Sequence, residues 1–147
     1  MKALIQRVLN ASVIVENNVI SEIGKGMLIF FSVIKDDTEK DIDYIVRKVK
    51  NLRIFEDKER KLNFSVQDIN GEILVVSQFT LSADCKKGNR PSFERAEEPL
   101  KAEKIYLEFI RRLKEYNLKV ATGAFGKFMQ VHLTNDGPVT IMLDSKV

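Results

Sequence analysis

The chain has 147 residues, of which 44% are hydrophobic and 31% are charged, and its formal net charge is +3 at pH 7. This length is typical of one domain and allows a core that needs no disulfide or metal to hold it. The composition excludes a disordered or fibrous chain. The small positive charge favours a polyanionic partner only weakly, because an ordinary solvated surface carries as much.

Cysteine content and apolar run length predict a cytoplasmic protein without a membrane segment. Cys85 is the only cysteine, so the chain forms no internal disulfide, as expected in a reducing compartment. The polar residues Gln6 and Arg7 come too early for a secretory signal peptide. The strongest apolar run, residues 27–34, is far shorter than the ~20 residues of a membrane-spanning helix.

The first part of the chain predicts strands over residues 3–34. The pair Asn17 and Asn18 provides a two-residue turn, because asparagine tolerates the left-handed backbone that such turns require. Residues 24–26 contain two glycines and predict a second turn. Residues 27–31 are continuously apolar and predict a strand buried on both faces.

Residues 38–52 predict an amphipathic helix. Thr38 is suited to the N-cap, and Asp41 follows three positions later. The apolar stripe consists of Ile42, Ile45, Val46, Val49 and Leu52. Basic residues gather toward the end of the helix, where the helix dipole explains them without an RNA site.

The middle of the chain predicts a strand between two loops. Residues 56–71 and 82–96 are polar and irregular, and residues 73–76 predict a central strand that continues through 77–81.

A second helix and two strands complete the chain. The helix follows Pro99, which suits a first helical position. Its buried face consists of Ala102, Ile105, Tyr106, Phe109, Ile110 and Leu113. Residues 128–135 alternate, with Met129, Val131 and Leu133 on one side and Gln130, His132 and Thr134 on the other. The pair Gly137 and Pro138 is expected to break this strand before a last strand over 139–143. Residues 1–147 therefore predict one α+β domain, in which two amphipathic helices pack on a mostly antiparallel sheet.

The residue inventory excludes the common catalytic centres. His132 is the only histidine and is predicted to lie on a polar strand face, so a Ser-His-Asp triad has no base. No cysteine, histidine or carboxylate cluster has the spacing of metal ligands. The glycines do not form a phosphate-binding fingerprint. We predict no metal and no cofactor.

Two segments combine polar side chains with special backbone geometry. Ser77, Gln78 and Thr80 stand where a buried strand ends, so they either converge on a ligand or simply mark a polar strand exit. Residues 135–138, Asn-Asp-Gly-Pro, form a turn that an ordinary hairpin would explain equally well.

These segments resemble the paired signatures of the D-aminoacyl-tRNA deacylases. The likeness lies in residues 75–81, VVSQFTL, and in residues 135–140, NDGPVT. Residues 4–8, 90–93 and 129–131 also match, and the resemblance covers essentially the whole chain.

The resemblance implies a barrel-like deacylase fold and an enzyme that hydrolyses the ester of D-aminoacyl-tRNA, and to some degree of glycyl-tRNA. It implies chiral proofreading in translation by a homodimer that binds tRNA and not DNA. It also implies that the Gly137–Pro138 peptide bond is cis, and that this pair enters the partner's site to reject L-aminoacyl groups. The implied catalytic segment is Ser77, Gln78, Phe79 and Thr80. The residues implied for substrate binding and chiral selection are Gly137, Pro138, Arg7, Met129 and Asn135.

Two mechanisms remain open. In the first, Thr80 is the nucleophile, although it has no visible base. In the second, backbone N–H groups of Phe79 and Thr80 hold the ester carbonyl while the tRNA 2′-hydroxyl activates water. We favour the second mechanism because the motifs contain no histidine and Thr80 has no visible base.

Three other functions are compatible with the residues. They are a non-catalytic RNA-binding module, a hydrolase of another small ester or amide that uses Thr80, and a dimeric interaction protein without a ligand. Hydrolysis of D-aminoacyl-tRNA separates the first of these from the deacylase, and covalent trapping at Thr80 would favour the second.

Overall fold

The sheet is built on a long first strand, and the computed structural model describes residues 1–147. The strands are β1 (Lys2–Val15), β2 (Asn18–Ile23), β3 (Gly26–Ser32), β4 (Phe55–Glu56), β5 (Leu62–Phe64), β6 (Glu72–Ser77), β7 (Lys119–Thr122) and β8 (Gln130–Asp144). The helices are α1 (Glu39–Asn51) and α2 (Pro99–Glu115), and a short 3-10 helix spans Phe79–Ser82.

Strand order explains the barrel-like shape. The first half of β1 pairs antiparallel with β3 and the second half with β2, while β8 pairs antiparallel along the other edge of β1. β3 then pairs parallel with β6, and β6 parallel with β7. The order β2-β1-β3-β6-β7, with β8 beside β1, makes a nearly closed sheet. The predicted α+β fold with a mostly antiparallel sheet and two helices is confirmed.

Both faces of the central strands are buried. Met27, Ile29 and Phe31 belong to the larger core cluster, under the helices, whereas Leu28 belongs to a second cluster on the opposite face. Phe31 stacks on Phe109 of α2, with ring centroids 4.2 Å apart. The prediction of a strand buried on both faces is therefore confirmed.

The helices begin and pack as their sequences indicate. The Asp41 carboxylate accepts the Thr38 backbone N–H at 2.8 Å and the Thr38 hydroxyl at 2.9 Å, which closes the first turn of α1. Arg112 of α2 donates hydrogen bonds to Glu39 and Asp43 of α1, so a charged contact joins the two helices. No helix is both long and apolar enough to cross a membrane.

Several local predictions are wrong. The first turn is formed by Glu16 and Asn17, both at positive φ, because Val15 pairs with Asn18. The segment 56–71 is not all loop, since β5 lies within it and pairs with β4. β7 was not predicted, because its sequence lacks a clear alternation of buried and exposed residues.

Candidate active site

The end of β6 departs from the predicted strand. Residues 73–76 are buried, and the Gln78 N–H donates to the Phe31 carbonyl at 2.7 Å. The chain then turns into the 3-10 helix, where the Ser82 hydroxyl donates to the Phe79 carbonyl at 2.7 Å. The expected strand through 77–81 is therefore wrong beyond Ser77. The turn leaves Phe79 and Thr80 exposed at the sheet edge.

A cleft of about 810 Å³ opens at this edge. It lies between the ends of β3 and β6, the start of α2 and the loop before β8. Four residues predicted for the site line it, namely Ser77, Gln78, Phe79 and Met129. Met129 is held in place because its sulfur accepts the Ala124 N–H at 3.3 Å. A cleft of this size accommodates a small ligand or one end of a larger one.

Exposed aromatic rings surround the opening of the cleft. Phe79 is 58% exposed and Phe128 is 100% exposed. The Phe79 and Phe93 rings meet edge to face, with centroids 5.1 Å apart. Exposed rings beside an apolar cleft suit a flat ligand, and nucleobases stack on such rings in RNA-binding proteins.

The charged residues of the cleft are two lysines and three glutamates. The cleft is lined by Lys35 and Lys127 and by three glutamates of the segment 94–98, with no histidine. Glu97 is nearly buried, and its Oε2 lies 2.6 Å from the Lys101 ammonium. The hydrogen bond from Lys101 and the Glu98 N–H hold the pKa of Glu97 below its usual value. Glu97 is therefore ionised and forms an ion pair with Lys101 in the first turn of α2.

Thr80 is positioned by its neighbour. The Gln78 side-chain amide donates a hydrogen bond to the Thr80 hydroxyl. A donor at this oxygen cannot remove its proton, so the hydroxyl has no activating base.

Tyr106 ties the end of β6 to α2. Its hydroxyl donates to the Val75 carbonyl at 2.8 Å, and the same carbonyl accepts the Gly123 N–H at 2.9 Å. The ring is 2% exposed, and burial raises the pKa of Tyr106. Tyr106 therefore stays protonated and fixes the strand from which the first motif emerges.

Replacement of Tyr106 with phenylalanine is expected to lower the free energy of unfolding by about 1–2 kcal/mol, because a buried hydrogen bond is removed while Gly123 still satisfies the carbonyl. Urea denaturation measures this change. Tyr116→Phe is the control, since Tyr116 is exposed and its hydroxyl makes no hydrogen bond to the protein. Equal stability of the Tyr106→Phe variant and the parent protein would contradict the assignment.

A second cluster surrounds Gly137 and Pro138. The Asn135 side-chain amide donates to the Arg7 carbonyl at 3.0 Å and to the Val139 carbonyl at 3.1 Å. The Arg7 Nε donates to the Asp136 carbonyl at 2.9 Å. The peptide bond between Gly137 and Pro138 is cis, as the resemblance implied.

The prediction that Gly137 and Pro138 break the strand is wrong. Residues 130–144 make one strand, and both of its halves pair with β1, so there is no hairpin. Gln6 faces Thr140 while Val8 faces Asn135, so extra residues of β8 bulge out around Gly137 and Pro138. Both residues are exposed, and neither lines the cleft of their own chain.

The structure therefore separates the predicted site residues into two groups. The first is at the cleft, which Ser77, Gln78, Phe79 and Met129 line and which Thr80 joins through its bond to Gln78. The second consists of Arg7, Asn135, Gly137 and Pro138. The sequence predicted Tyr106 only as a core residue and indicated no role for Phe125, yet both line the cleft. His132 is exposed on a strand face, as predicted.

Comparisons with known proteins agree with this architecture. A family model described as D-Tyr-tRNA(Tyr) deacylase matches residues 4–144. A D-aminoacyl-tRNA deacylase from Thermosipho africanus is 55% identical over 146 residues, which is 99% of this chain and 98% of that protein. One from Aquifex aeolicus is 54% identical and covers 99% of each chain.

Solved structures give the same fold. A c-Myc DNA unwinding element binding protein is 45% identical, with a TM-score of 0.93 over 98% of each chain. A probable eukaryotic D-amino acid tRNA deacylase is 17% identical, with a TM-score of 0.81 over 97% of each chain, and supports the fold alone.

The family model and the relatives of 54–55% identity place this chain among the hydrolases that cleave the ester bond of an aminoacyl-tRNA. The chain belongs to the D-Tyr-tRNA(Tyr) deacylase family. The predicted family and the predicted class of enzyme, an ester hydrolase of this kind, are confirmed.

Proposed function

We propose that this chain hydrolyses the ester between a D-amino acid and the terminal adenosine of tRNA, in the cleft at the end of β6. The observation that carries the proposal is the convergence of Ser77, Gln78 and Phe79 with Met129 around one aromatic-rimmed cleft. The products are free tRNA and the D-amino acid, which is a chiral proofreading step in translation. We assign the activity to the cytoplasm, where charged tRNA is used.

In the proposed mechanism, the segment 77–80 binds the ester and the backbone stabilises the transition state. The N–H groups of Phe79 and Thr80 lie in the first turn after the strand, where a helix offers no internal acceptors. They donate to the carbonyl oxygen as it gains negative charge, which is the principle of an oxyanion hole. The tRNA 2′-hydroxyl assists the attacking water, and the 3′-oxygen leaves with the tRNA.

Thr80→Ala is expected to keep most of its turnover, because the side chain is not the nucleophile in this mechanism. Single-turnover hydrolysis of D-aminoacyl-tRNA measures the rate. Thr80→Ser is the matched control: a nucleophile would be retained in serine and removed in alanine. A folded Thr80→Ala protein that loses several orders of magnitude in rate, beside an active serine variant, would overturn the mechanism.

Chiral selection is proposed to come from a second copy of the chain. The bulge at Gly137 and Pro138 is exposed and held by Arg7 and Asn135, yet it does not reach the cleft of its own chain. In a symmetric homodimer, the bulge of each subunit enters the cleft of its partner and makes two equivalent sites. It then fills the space that an L side chain would need, whereas a D side chain points away. Glycine has no side chain to reject, so glycyl-tRNA is accepted to some degree.

Pro138→Ala is expected to relax the rejection of L-aminoacyl-tRNA, because the proline ring fixes the backbone angle of the exposed bulge. Hydrolysis of D- and L-aminoacyl-tRNA by the variant measures the selectivity, and sedimentation confirms that it remains a dimer. An unchanged D/L ratio in a dimeric variant would count against the bulge as the filter, and a monomeric parent protein would exclude the shared site.

The partner is proposed to be tRNA rather than DNA, since the mechanism uses a ribose 2′-hydroxyl. Lys86, Lys87 and Arg90 are exposed on the loop after the first motif, and none of them forms an ion pair. We assign them to the phosphates near the 3′ end, which enters the cleft beside that loop.

A further inference from the structure

A groove of about 860 Å³ lies between the outer sides of α1 and α2, away from the cleft. Five cations and two carboxylates line it, together with Tyr44 and Tyr116. The two carboxylates are already engaged, because Asp43 binds Arg112 and Glu115 binds Arg111. The groove therefore presents an excess of positive charge.

Three cations of this groove have no carboxylate partner. Lys40, Arg47 and Lys50 form no ion pair, although acidic side chains lie on the same helices. Two of the three lie against aromatic rings instead. The Lys50 ammonium is 3.7 Å from the centroid of the Tyr116 ring, and the Arg47 guanidinium is 5.9 Å from that of Tyr44. Cations beside aromatic rings are the side-chain combination that contacts phosphates and bases of RNA.

The groove and the cleft are joined by α2. The first half of α2 contributes Pro99, Ala102 and Tyr106 to the cleft, and its last turns contribute Arg112 and Glu115 to the groove. At 1.5 Å per residue, Ala102 and Arg112 are about 15 Å apart along the axis. A few nucleotides span such a distance. An RNA whose 3′ end lies in the cleft can therefore reach the groove.

The helix packing makes the groove a fixed surface. Arg112 donates to Glu39 and Asp43 of α1 and to Glu108 of its own helix, so its guanidinium bridges the two helices. The same bonds keep Arg112 from competing for an incoming phosphate. Lys40 and Arg47 lie seven residues apart, on one face of α1.

We propose that the groove between α1 and α2 binds the sugar-phosphate backbone of the same tRNA whose aminoacylated 3′ end occupies the cleft. The proposal rests on the proposed function for its ligand, and it replaces the sequence-based interpretation that the helix dipole alone explains the basic residues at the end of α1. Lys40, Arg47 and Lys50 neutralise phosphates, while Tyr44 orients Arg47 and Tyr116 orients Lys50. The groove adds affinity for the tRNA body without taking part in ester hydrolysis.

The test compares two substrates and two double variants. Lys40→Ala/Arg47→Ala removes two exposed groove cations, and alanine preserves the helix. Lys25→Ala/Lys58→Ala removes the same charge from exposed turns that lie outside both helices and do not line the groove. Lys50 is left unchanged because its replacement would also remove the cation that lies against the Tyr116 ring. The substrates are full-length D-aminoacyl-tRNA and a D-aminoacyl ester of adenosine, which reaches only the cleft. Thermal denaturation confirms that both variants are folded.

The groove variant is expected to bind full-length tRNA about tenfold more weakly, and its salt slope is expected to flatten by about 0.7–0.9 for each phosphate that the variant no longer neutralises. Its KM for full-length substrate rises while kcat and hydrolysis of the adenosine ester stay unchanged. Equal weakening in the control variant, or no weakening in the groove variant, would overturn the proposal.

Two further results distinguish the possible failures. If the parent protein hydrolyses neither substrate but the groove variant still loses tRNA affinity, the proposed function fails and the groove assignment stands. If a DNA hairpin of the same sequence binds as tightly as the RNA, and loses affinity equally in the groove variant, the assignment of the groove to tRNA is overturned.

Discussion

Arg7→Ala is expected to reduce the selectivity for D- over L-aminoacyl-tRNA by roughly one to two orders of magnitude, equivalent to about 1.4–2.8 kcal/mol. The Arg7 guanidinium is buried and donates to the Asp136 carbonyl at 2.9 Å and to the Ile54 carbonyl at 2.8 Å. It also pairs with Glu56 of β4. Its removal leaves the bulge of β8 with only one of the two side chains that hold it, Asn135.

The same substitution is expected to destabilise the fold by about 3 kcal/mol, because the buried Ile54 carbonyl, the partly buried Asp136 carbonyl and nearby carboxylates lose their cation. Denaturant unfolding measures this cost separately from the selectivity. Arg7→Lys is expected to restore only part of either property, since an ammonium cannot reproduce the forked geometry. Gln6→Ala is the control, because the neighbouring Gln6 makes only an exposed bond to Thr140. A folded Arg7→Ala dimer with parental selectivity would contradict the role of Arg7.

Gly26→Ala is expected to be the most destabilising single substitution of those considered, with a loss of about 3 kcal/mol or more. β3 and β6 approach so closely at this position that an added Cβ would lie 1.8 Å from the Glu72 carbonyl oxygen. The obstacle is backbone, so it moves only if the parallel pairing of β3 and β6 is disturbed. The cleft is built at the far end of these same strands, so activity is expected to fall with stability.

Gly24→Ala is the matched control for this prediction. A Cβ at Gly24 would meet only the Glu72 side chain, at an ordinary contact distance of 3.6 Å. Thermal denaturation of the two variants is expected to show a large loss for Gly26→Ala and little change for Gly24→Ala. Equal melting temperatures would show that the strand pair tolerates the added carbon.

The fold was predictable wherever burial produces a regular pattern. The stripe of α1, the proline at the start of α2 and the doubly buried strand 27–31 all follow from local sequence and are confirmed. β7 and the β4–β5 pair were missed because short strands carry too few residues for a period to show. The first turn was displaced by one residue because Glu16 adopts positive φ, which is uncommon for a residue other than glycine and could not be predicted from its side chain.

The sequence predicted the residues of the site better than it predicted their arrangement in space. The two motifs drew attention to Ser77–Thr80 and to Gly137 and Pro138, yet nothing in the sequence showed that one group lines a cleft and the other bulges from β8. Arg7 and Asp136 meet across 129 positions of the chain. Such a contact depends on the pairing of β1 with β8, and sequence spacing alone does not reveal it.

Hydrolysis of matched D- and L-aminoacyl-tRNAs, carrying the same side chain on the same tRNA, tests the central claim most directly. We predict rapid release of the D-amino acid and no acceleration above the uncatalysed rate for the L-amino acid, with partial activity on glycyl-tRNA. Equal hydrolysis of both enantiomers would contradict the chiral filter. No hydrolysis of either substrate by folded protein would contradict the proposed activity itself.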